Sequence, residues 1–284
     1  MLSAIYWNPD PTLFTVPFLN FPILWYGFFF ALGFWCAFLL FVRLLMRYFH
    51  LLPSYKGIRI DELKKKSHLI ADRLTVYIII GTIVGARIGH FLFYESPSSY
   101  LSDPMELFRF RNGGLASHGA LIGILLAVWI FSRRKQYRSQ DLTWLKILDL
   151  VTVVTPFAGC CIRIGNFFNQ EILGTLTTLP WAVVFGHPAD GSPPLPRHPV
   201  QLYEAIGYLA IFALLWRLSY VSSFLLPKGK LFGLFLILVF SYRFCMEFFK
   251  VEQSAFLPTS FLTMGGLLSI PVAFLGLFFY CRAK

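Results

Sequence analysis

The stretch Arg163-Ile164-Gly165-Asn166-Phe167-Phe168-Asn169-Gln170-Glu171 follows directly on an apolar run at 146–162. It places an arginine, amides and a carboxylate at the end of a segment that is almost long enough to cross a membrane. Charge at membrane depth is costly, by roughly 2.5–3.5 kcal/mol per group at the centre of a helix on insertion scales. The interpretation of the chain therefore depends on which side of the membrane this cluster faces and on which residues lie opposite it.

Composition places the chain among integral membrane proteins. Hydrophobic residues make up 57% of the 284 residues and charged residues only 14%, whereas soluble domains carry about 25% charged residues. Apolar runs of roughly membrane-spanning length occur at 18–43, 74–94, 116–132, 146–162, 200–217, 231–249 and 260–281. Helices are expected because backbone groups in lipid must be satisfied internally. The sequence thus predicts an all-α integral membrane protein with one polytopic membrane domain over residues 1–284.

Basic residues between the spans orient the chain, because Lys and Arg mark cytoplasmic loops. The connections 43–73 and 133–146 carry eight and five of them, and the connection 217–230 and the C-terminus add three and two. Eighteen of the 25 basic residues thus fall on one side. This alternation predicts seven transmembrane helices with the N-terminus outside and the C-terminus cytoplasmic. The net charge of +11 is then a topology signal, and no nucleic-acid partner is expected.

The longest outer connection in this topology is 171–199. It is rich in proline, with Pro180, Pro193, Pro194, Pro196 and Pro199. Long connections of this kind are often active-site lids or binding loops. We therefore expect the 171–199 outer loop to be a lid or substrate-entry element.

Cysteine spacing and sequence motifs argue against a metal or a cofactor. The five cysteines lie within or at the ends of apolar runs, and their spacing matches neither a zinc site nor a disulfide framework. Dinucleotide-binding, phosphate-loop and HExxH motifs do not occur. We expect structural thiols and no metal ligands.

The predicted topology gathers the polar residues of the spans on the outer-leaflet side, whereas the inner halves of the spans are almost purely apolar. These residues are Tyr26, Arg87, His118, Arg163, Glu204, Arg243 and Glu247. Arginine forks match phosphate oxygens in geometry and charge. An arginine-rich cluster at headgroup depth therefore predicts a phospholipid headgroup as the ligand.

Helical spacing adds geometry to this cluster. Arg163, Asn166 and Asn169 are three residues apart and share a face if the helix continues. Arg243 and Glu247 are four apart and can pair along the sixth span. Taken singly, each polar residue is explained as well or nearly as well by helix packing or interfacial anchoring. The joint pattern is what favours a functional site.

Several motifs in the same order resemble the prolipoprotein diacylglyceryl transferase family, the bacterial enzymes that lipidate lipoprotein precursors. The resemblance covers most of the chain, at 25–27, 85–89, 113–123, 163–174, 197–204, 246–249 and 264–271. The stretch 163–174 is the most specific motif. The sequence departs from the family pattern at Ala120 and Ile162, where glycine is usual, and at Val239, where tyrosine is common.

The resemblance implies an enzyme of the bacterial plasma (inner) membrane that needs no cofactor. Such enzymes transfer the diacylglyceryl group of the membrane lipid phosphatidylglycerol to the lipobox cysteine in the signal peptide of a prolipoprotein. The implied catalytic residues are His118 as a base for the thiol, and Arg163 and Arg243 as stabilisers of the departing phosphate. The implied substrate-binding residues are Tyr26, Arg87, Asn166, Asn169, Glu171, Gly174, Glu204 and Glu247.

The alternative is a polytopic transporter or a lipid-binding membrane protein for an anionic phospholipid. A transporter normally has its site near the membrane midplane and often shows repeated halves, and neither feature is evident here. Lipid binding alone explains the arginines but leaves the histidine, amides and carboxylates without a role. Transfer of labelled lipid to a lipobox peptide distinguishes these classes.

Overall fold

The computed structural model describes residues 4–18, 20–94, 116–138, 141–251 and 264–283. The chain divides into two compact units, one formed by Met1–Leu44 with Asp149–Lys284 and the other by Leu45–Leu148. The first unit carries the motif 163–174, and the second carries Arg87 and His118.

Helices dominate the described residues. In chain order they are α1 Trp25–Leu51, α2 Ile60–Tyr94, α3 Ser117–Arg133, α4 Lys135–Arg138, α5 Trp144–Phe168, α6 Val200–Leu218, α7 Ser222–Leu225, α8 Lys230–Glu247 and α9 Met264–Arg282, with a short 3₁₀ turn at Pro53–Tyr55. The strands are β1 Ile5–Trp7, β2 Thr12–Val16, β3 Phe21–Leu24, β4 Val183–Phe185 and β5 Pro196–Arg197. The prediction of an all-α chain is therefore corrected to a mostly helical one with two small sheets.

A helix occupies each of the seven predicted spans, but the predicted bounds 18–43 and 74–94 are wrong. Residues 21–24 form β3, paired antiparallel with β2, so α1 begins only at Trp25 and continues to Leu51. Helix α2 begins at Ile60. The carboxylates of Asp61 and Glu62 in its first turn stabilise this start, because they lie at the positive end of the helix dipole. Residues 260–263 of the last predicted span lie outside the described residues.

Membrane character is supported by four helices, among the residues that the structure describes, that are long and apolar enough to cross a bilayer. They are α1, α2 up to Leu92, α5, and α9 from Gly265. Helix α3 is a shorter apolar helix. Helix α6 carries the charged side chain of Glu204, and α8 carries those of Arg243 and Glu247.

The first unit contains a small sheet of order β1-β4-β5, in which β1 lies parallel to β4 and β4 antiparallel to β5. Phe167 and Leu173 form a buried apolar cluster with Val183 and Phe185 of β4, and Trp7 packs against this cluster. The sheet and cluster order much of the loop 171–199 directly after the end of α5.

The start of α8 is fixed by a buried carboxylate of α5. Asp149 accepts hydrogen bonds from the backbone nitrogens of Gly229 at 2.7 Å and Phe232 at 2.8 Å. These N–H groups have no partner within the helix. Asp149 therefore has a structural role in positioning the start of α8.

In the second unit α2 and α3 approach each other through glycines. A Cβ at Gly81 would lie 2.7 Å from Ala127 Cβ, and a Cβ at Gly85 would collide with the carbonyl oxygen of Gly119 and lie 2.8 Å from Gly123 Cα. The backbone nitrogen of Ala116 donates to the carbonyl of Ala86 at 3.0 Å. The contact therefore requires residues without side chains at these positions.

Candidate active site

The end of α5 presents Arg163 and Asn166 on one face, as their spacing predicts. The Nη1 of Arg163 donates to Asn166 Oδ1 at 3.1 Å. Asn166 Nδ2 and Asn169 Nδ2 both donate to Glu171 Oε1, at 2.7 and 3.3 Å. An arginine, two amides and a carboxylate of the quoted stretch are thus joined by hydrogen bonds.

The chain turns back on itself immediately after α5. Gln170 and Ile172 have φ of 52° and 58°, a left-handed conformation that is uncommon for residues other than glycine. The turn brings the carboxylate of Glu171 back to the end of the helix. Gln201, a fully buried residue of α6, donates from Nε2 to the carbonyl of Glu171 at 2.7 Å and holds the turn in place.

A fully buried carboxylate links α5, α6 and the residues that follow α8. Glu204 of α6 has no exposed surface. Its Oε2 lies 2.8 Å from Arg163 Nε, and its Oε1 lies 2.7 Å from Lys250 Nζ. A buried carboxylate requires such partners, because removing one leaves an uncompensated charge.

The ion pairs continue from Lys250 to the end of α8. Lys250 Nζ lies 3.0 Å from Glu247 Oε1, and Arg243 Nε lies 3.8 Å from the same oxygen. We call these five residues the ion-pair row, which in order of contact is Arg163, Glu204, Lys250, Glu247 and Arg243. At one end of the row Arg163 is 14% exposed, and at the other Arg243 is 40% exposed.

The carboxylate of Glu247 also packs against the start of α9. A Cβ at Gly265 would lie 2.7 Å from Glu247 Cδ and 2.8 Å from each carboxylate oxygen. A larger residue at this position would force the end of the Glu247 side chain to shift. The first turn of a helix also carries a partial positive charge that favours a nearby anion.

Gly174 lies where the outer loop meets the segment after α8. It forms an isolated antiparallel bridge with Lys250, and its carbonyl accepts from Arg197 Nη1 at 3.1 Å. A Cβ at Gly174 would collide with the carbonyl oxygen of His198 and lie 2.8 Å from Val200 Cγ2. The glycine is thus required by close backbone approach, and it helps to fix the position of Lys250.

Arg197 also holds the turn of the outer loop that precedes β5. Arg197 Nη2 donates to Ser192 Oγ at 3.1 Å. The hydrogen bond from the Ser192 hydroxyl, helped by the nearby Arg197 charge, lowers the pKa of Asp190. The Asp190 carboxylate is therefore ionised at neutral pH.

Tyr26 in the first turn of α1 packs closely against the polar end of α5. A Cβ at Gly165 would lie 2.9 Å from Tyr26 Cδ2 and 3.2 Å from its Cα. Beside it, Trp25 stacks on Phe168 with ring centroids 4.7 Å apart. The tyrosine thus packs against Gly165, which follows Arg163 by two residues.

Tyr242 has a defined place although Val239 stands where the family commonly has tyrosine. Its hydroxyl donates to the carbonyl of Tyr203 at 2.7 Å, and its ring fills the space that a side chain at Gly207 would need. The hydroxyl of Tyr203 accepts from Trp181 Nε1 at 2.7 Å. These contacts tie α8, α6 and the outer loop together.

Arg87 and His118 lie in the second unit. Arg87 is 4% exposed, with Cζ 4.7 Å from the centre of the Phe91 ring. The backbone of His118 lies in the first turn of α3, and its side chain falls outside the described residues. Within the part of the chain that the structure describes, no group of three or more His, Cys, Asp or Glu residues could hold a metal ion.

Comparison with known proteins decides the family. A family model described as prolipoprotein diacylglyceryl transferase matches residues 11–282. The chain belongs to the prolipoprotein diacylglyceryl transferase family. The resemblance predicted from the motifs is thus confirmed over nearly the whole sequence, and the family's members are transferases.

Relatives from distant bacteria support the assignment, and each is named phosphatidylglycerol–prolipoprotein diacylglyceryl transferase. The protein of Tolumonas auensis is 41% identical over 273 residues, covering 96% of this chain and 95% of its own. That of Chlamydia trachomatis is 38% identical over 280 residues, covering 96% of both chains. That of Protochlamydia amoebophila is 33% identical over 353 residues, covering 97% of this chain and 94% of its own.

Sequence reasoning missed Lys250, which completes the ion-pair row. A signal was present, because Lys250 follows Glu247 by three residues, a spacing at which helical side chains meet. Gln201 was also missed, although it lies inside the motif 197–204. Its side-chain amide donates to the backbone carbonyl of Glu171. The two residues are 30 positions apart, so no spacing rule predicts this contact.

Proposed function

We propose that this protein transfers the diacylglyceryl group of phosphatidylglycerol to the thiol of the lipobox cysteine of prolipoproteins. The products are a thioether-linked lipid on the cysteine and glycerol phosphate. The family assignment and the named activity of its relatives support this function. It is the first covalent step that turns a prolipoprotein into a lipid-anchored protein.

The proposed reaction is a displacement at a glycerol carbon. The thiol gives up its proton, and a bond forms between sulfur and that carbon. The bond between the carbon and the phosphate oxygen breaks, and the oxygen keeps the electron pair. The thiolate is the reactive form of cysteine, so a base for the thiol and a cationic site for the phosphate are the two requirements.

The ion-pair row is the observation that best supports a phosphate site. With all members ionised it contains three cations and two carboxylates. The excess of one positive charge matches the single negative charge of a phosphodiester. Preorganised cations in a water-poor site stabilise charge that develops in the transition state. We propose that Arg163 and Arg243, at the two ends of the row, provide this stabilisation.

The remaining roles follow from chemistry and from the family motifs. We propose that His118 accepts the thiol proton and that Arg87 contributes to headgroup binding. Tyr26, Asn166, Asn169 and Glu171 would hold the glycerol hydroxyls and orient Arg163. Gly174, Glu204 and Glu247 would complete the binding site by shaping the loop and positioning the cations. No cofactor takes part in this scheme.

We also propose the topology that the basic residues predict. The protein would have seven transmembrane helices in a single polytopic domain, with the N-terminus outside and the C-terminus in the cytoplasm. It would lie in the bacterial plasma membrane with the site at the outer leaflet. The loop 171–199 would then cover the site as a lid or an entry element for the lipobox peptide.

A reconstituted transfer assay tests the function. Purified protein in vesicles receives phosphatidylglycerol labelled in its acyl chains and a peptide with a lipobox cysteine. We expect label on this peptide that resists neutral hydroxylamine, because the acyl chains stay joined to glycerol by oxygen esters and the glycerol is joined to sulfur by a thioether, with no thioester to cleave. A matched peptide with serine in place of cysteine should stay unlabelled. Folded protein that labels neither peptide would contradict the proposal.

A further inference from the structure

We propose that Lys250 is a positioning residue that occupies Glu204 and Glu247 and so leaves Arg243 available to an anionic headgroup. The inference rests on the proposed function, since it assigns Arg243 to the lipid phosphate. Lys250 itself lies too deep to meet the lipid first, because its side chain is only 8% exposed.

Lys250 and Arg243 compete for one oxygen atom. Glu247 Oε1 lies 3.0 Å from Lys250 Nζ but 3.8 Å from Arg243 Nε. The lysine makes the shorter contact, and the arginine is left with a long one while its side chain is 40% exposed. A charge-assisted hydrogen bond is normally 2.7–2.9 Å long, so Arg243 is only loosely paired through this contact.

The position of Lys250 is fixed by its backbone as well as by its charge. Thr175 donates to the carbonyl of Phe249 at 2.8 Å, and Val251 donates to the carbonyl of Leu173 at 3.1 Å. The ammonium group has three donors on a compact charge. It can therefore contact two carboxylates from a position that the outer loop holds in place.

Charge balance gives the consequence of losing this residue. Without Lys250 the row would contain two arginines and two glutamates, and its excess positive charge would vanish. Glu247 would then have Arg243 as its cationic partner in the row, four residues away on the same helix. An arginine committed to a carboxylate binds a phosphate less well, because the phosphate must first displace that carboxylate.

Direct lipid binding tests this inference without the transfer reaction. We would titrate dioctanoyl phosphatidylglycerol into the detergent-solubilised protein and measure Kd by calorimetry. Lys250→Met should raise Kd about tenfold, the scale of one lost hydrogen bond to a charged group. Lys250→Arg keeps the charge and should stay within about threefold, since it loses compactness but no charge.

A second substitution tests whether the effect passes through Glu247. In a Glu247→Gln background the competing carboxylate is gone, so Lys250→Met should change Kd by about twofold or less, the non-additivity expected of two residues that act through the same contact. An unchanged Kd for Lys250→Met, or the same rise in both backgrounds, would overturn the inference. If Lys250→Met does not fold, Lys250→Gln gives the same comparison. A wild-type protein that binds the lipid but transfers nothing would contradict the proposed function alone.

Discussion

Nε of Arg163 lies 2.8 Å from Oε2 of Glu204, and the side chain of Glu204 has no exposed surface. This contact joins the end of α5 to the first turns of α6. The other oxygen of Glu204 is held by Lys250, so one buried carboxylate orients a proposed catalytic arginine and a second cation at once.

Glu204→Ala should strongly destabilise the protein. It leaves two cations beside an apolar cavity, and breaking a buried ion pair typically costs about 3–5 kcal/mol. We expect a clear fall in the midpoint of thermal unfolding in detergent. The matched control is Glu62→Ala, because the pair of Arg59 and Glu62 is 77% and 59% exposed and such pairs contribute about 1 kcal/mol or less. Equal effects of the two changes would contradict the importance of the buried pair.

Arg163→Lys should impair catalysis although it keeps the positive charge. The lysine has no planar fork with which to contact both a carboxylate and a phosphate. Loss of one transition-state hydrogen bond costs about 2.7–4 kcal/mol in comparable sites, which corresponds to a fall in turnover of at least a hundredfold. The measurement is kcat for peptide lipidation by folded protein in detergent. Turnover at the wild-type rate would remove Arg163 from the proposed site.

The helices and the polar end of α5 were predictable because both depend on local sequence patterns. Apolar runs of roughly membrane-spanning length predict the helices, and three-residue spacing places Arg163 beside Asn166. The bounds of α1 and α2 were not predictable from hydropathy alone. The hairpin of β2 and β3 is apolar but not helical, and the polar start of α2 is helical but not apolar.

The closure of the ion-pair row could not be predicted from sequence. Glu204 and Lys250 lie 46 positions apart, and their contact depends on how the segment after α8 bridges to Gly174. Spacing rules reach only residues on one helix. They found the pair of Arg243 and Glu247, and they gave no reason to join it to Arg163.

Gly85→Ala should weaken the contact between α2 and α3. The added methyl would collide with the backbone of Gly119 and Gly123, and overpacking typically costs about 1–3 kcal/mol. Gly27→Ala is the matched control, because a Cβ at Gly27 meets no atom within 4 Å. Thermal unfolding in detergent compares the two variants. The interpretation of the glycine contact fails if both variants unfold at the wild-type temperature.

His118→Gln should make lipid transfer strongly dependent on pH. Glutamine keeps much of the size and hydrogen bonding of histidine but does not accept a proton at neutral pH. Transfer should therefore fall sharply at pH 7 and recover partly as pH rises toward the ordinary thiol pKa of about 8.5, where the thiolate forms unaided. Rates measured from pH 6 to 9 with wild-type protein alongside test this. A loss of the same size at every pH would reject the base role and leave the transferase assignment intact.

The predicted topology can be tested with reporter fusions. A reporter fused after residue 284 should be active on the cytoplasmic side. The basic residues Arg282 and Lys284 follow the last span, and such residues mark the cytoplasmic side. A reporter fused to a chain truncated near residue 185 should be active outside the cytoplasm. Both reporters on the same side would show that the topology is wrong.

The most direct test of the central claim follows both products of a single reaction. Wild-type protein is incubated with phosphatidylglycerol and a lipobox peptide, and the peptide mass and the released glycerol phosphate are measured over time. We predict that the peptide gains one diacylglyceryl group for each glycerol phosphate released. Release of glycerol phosphate without modified peptide, or no reaction by folded protein, would contradict it.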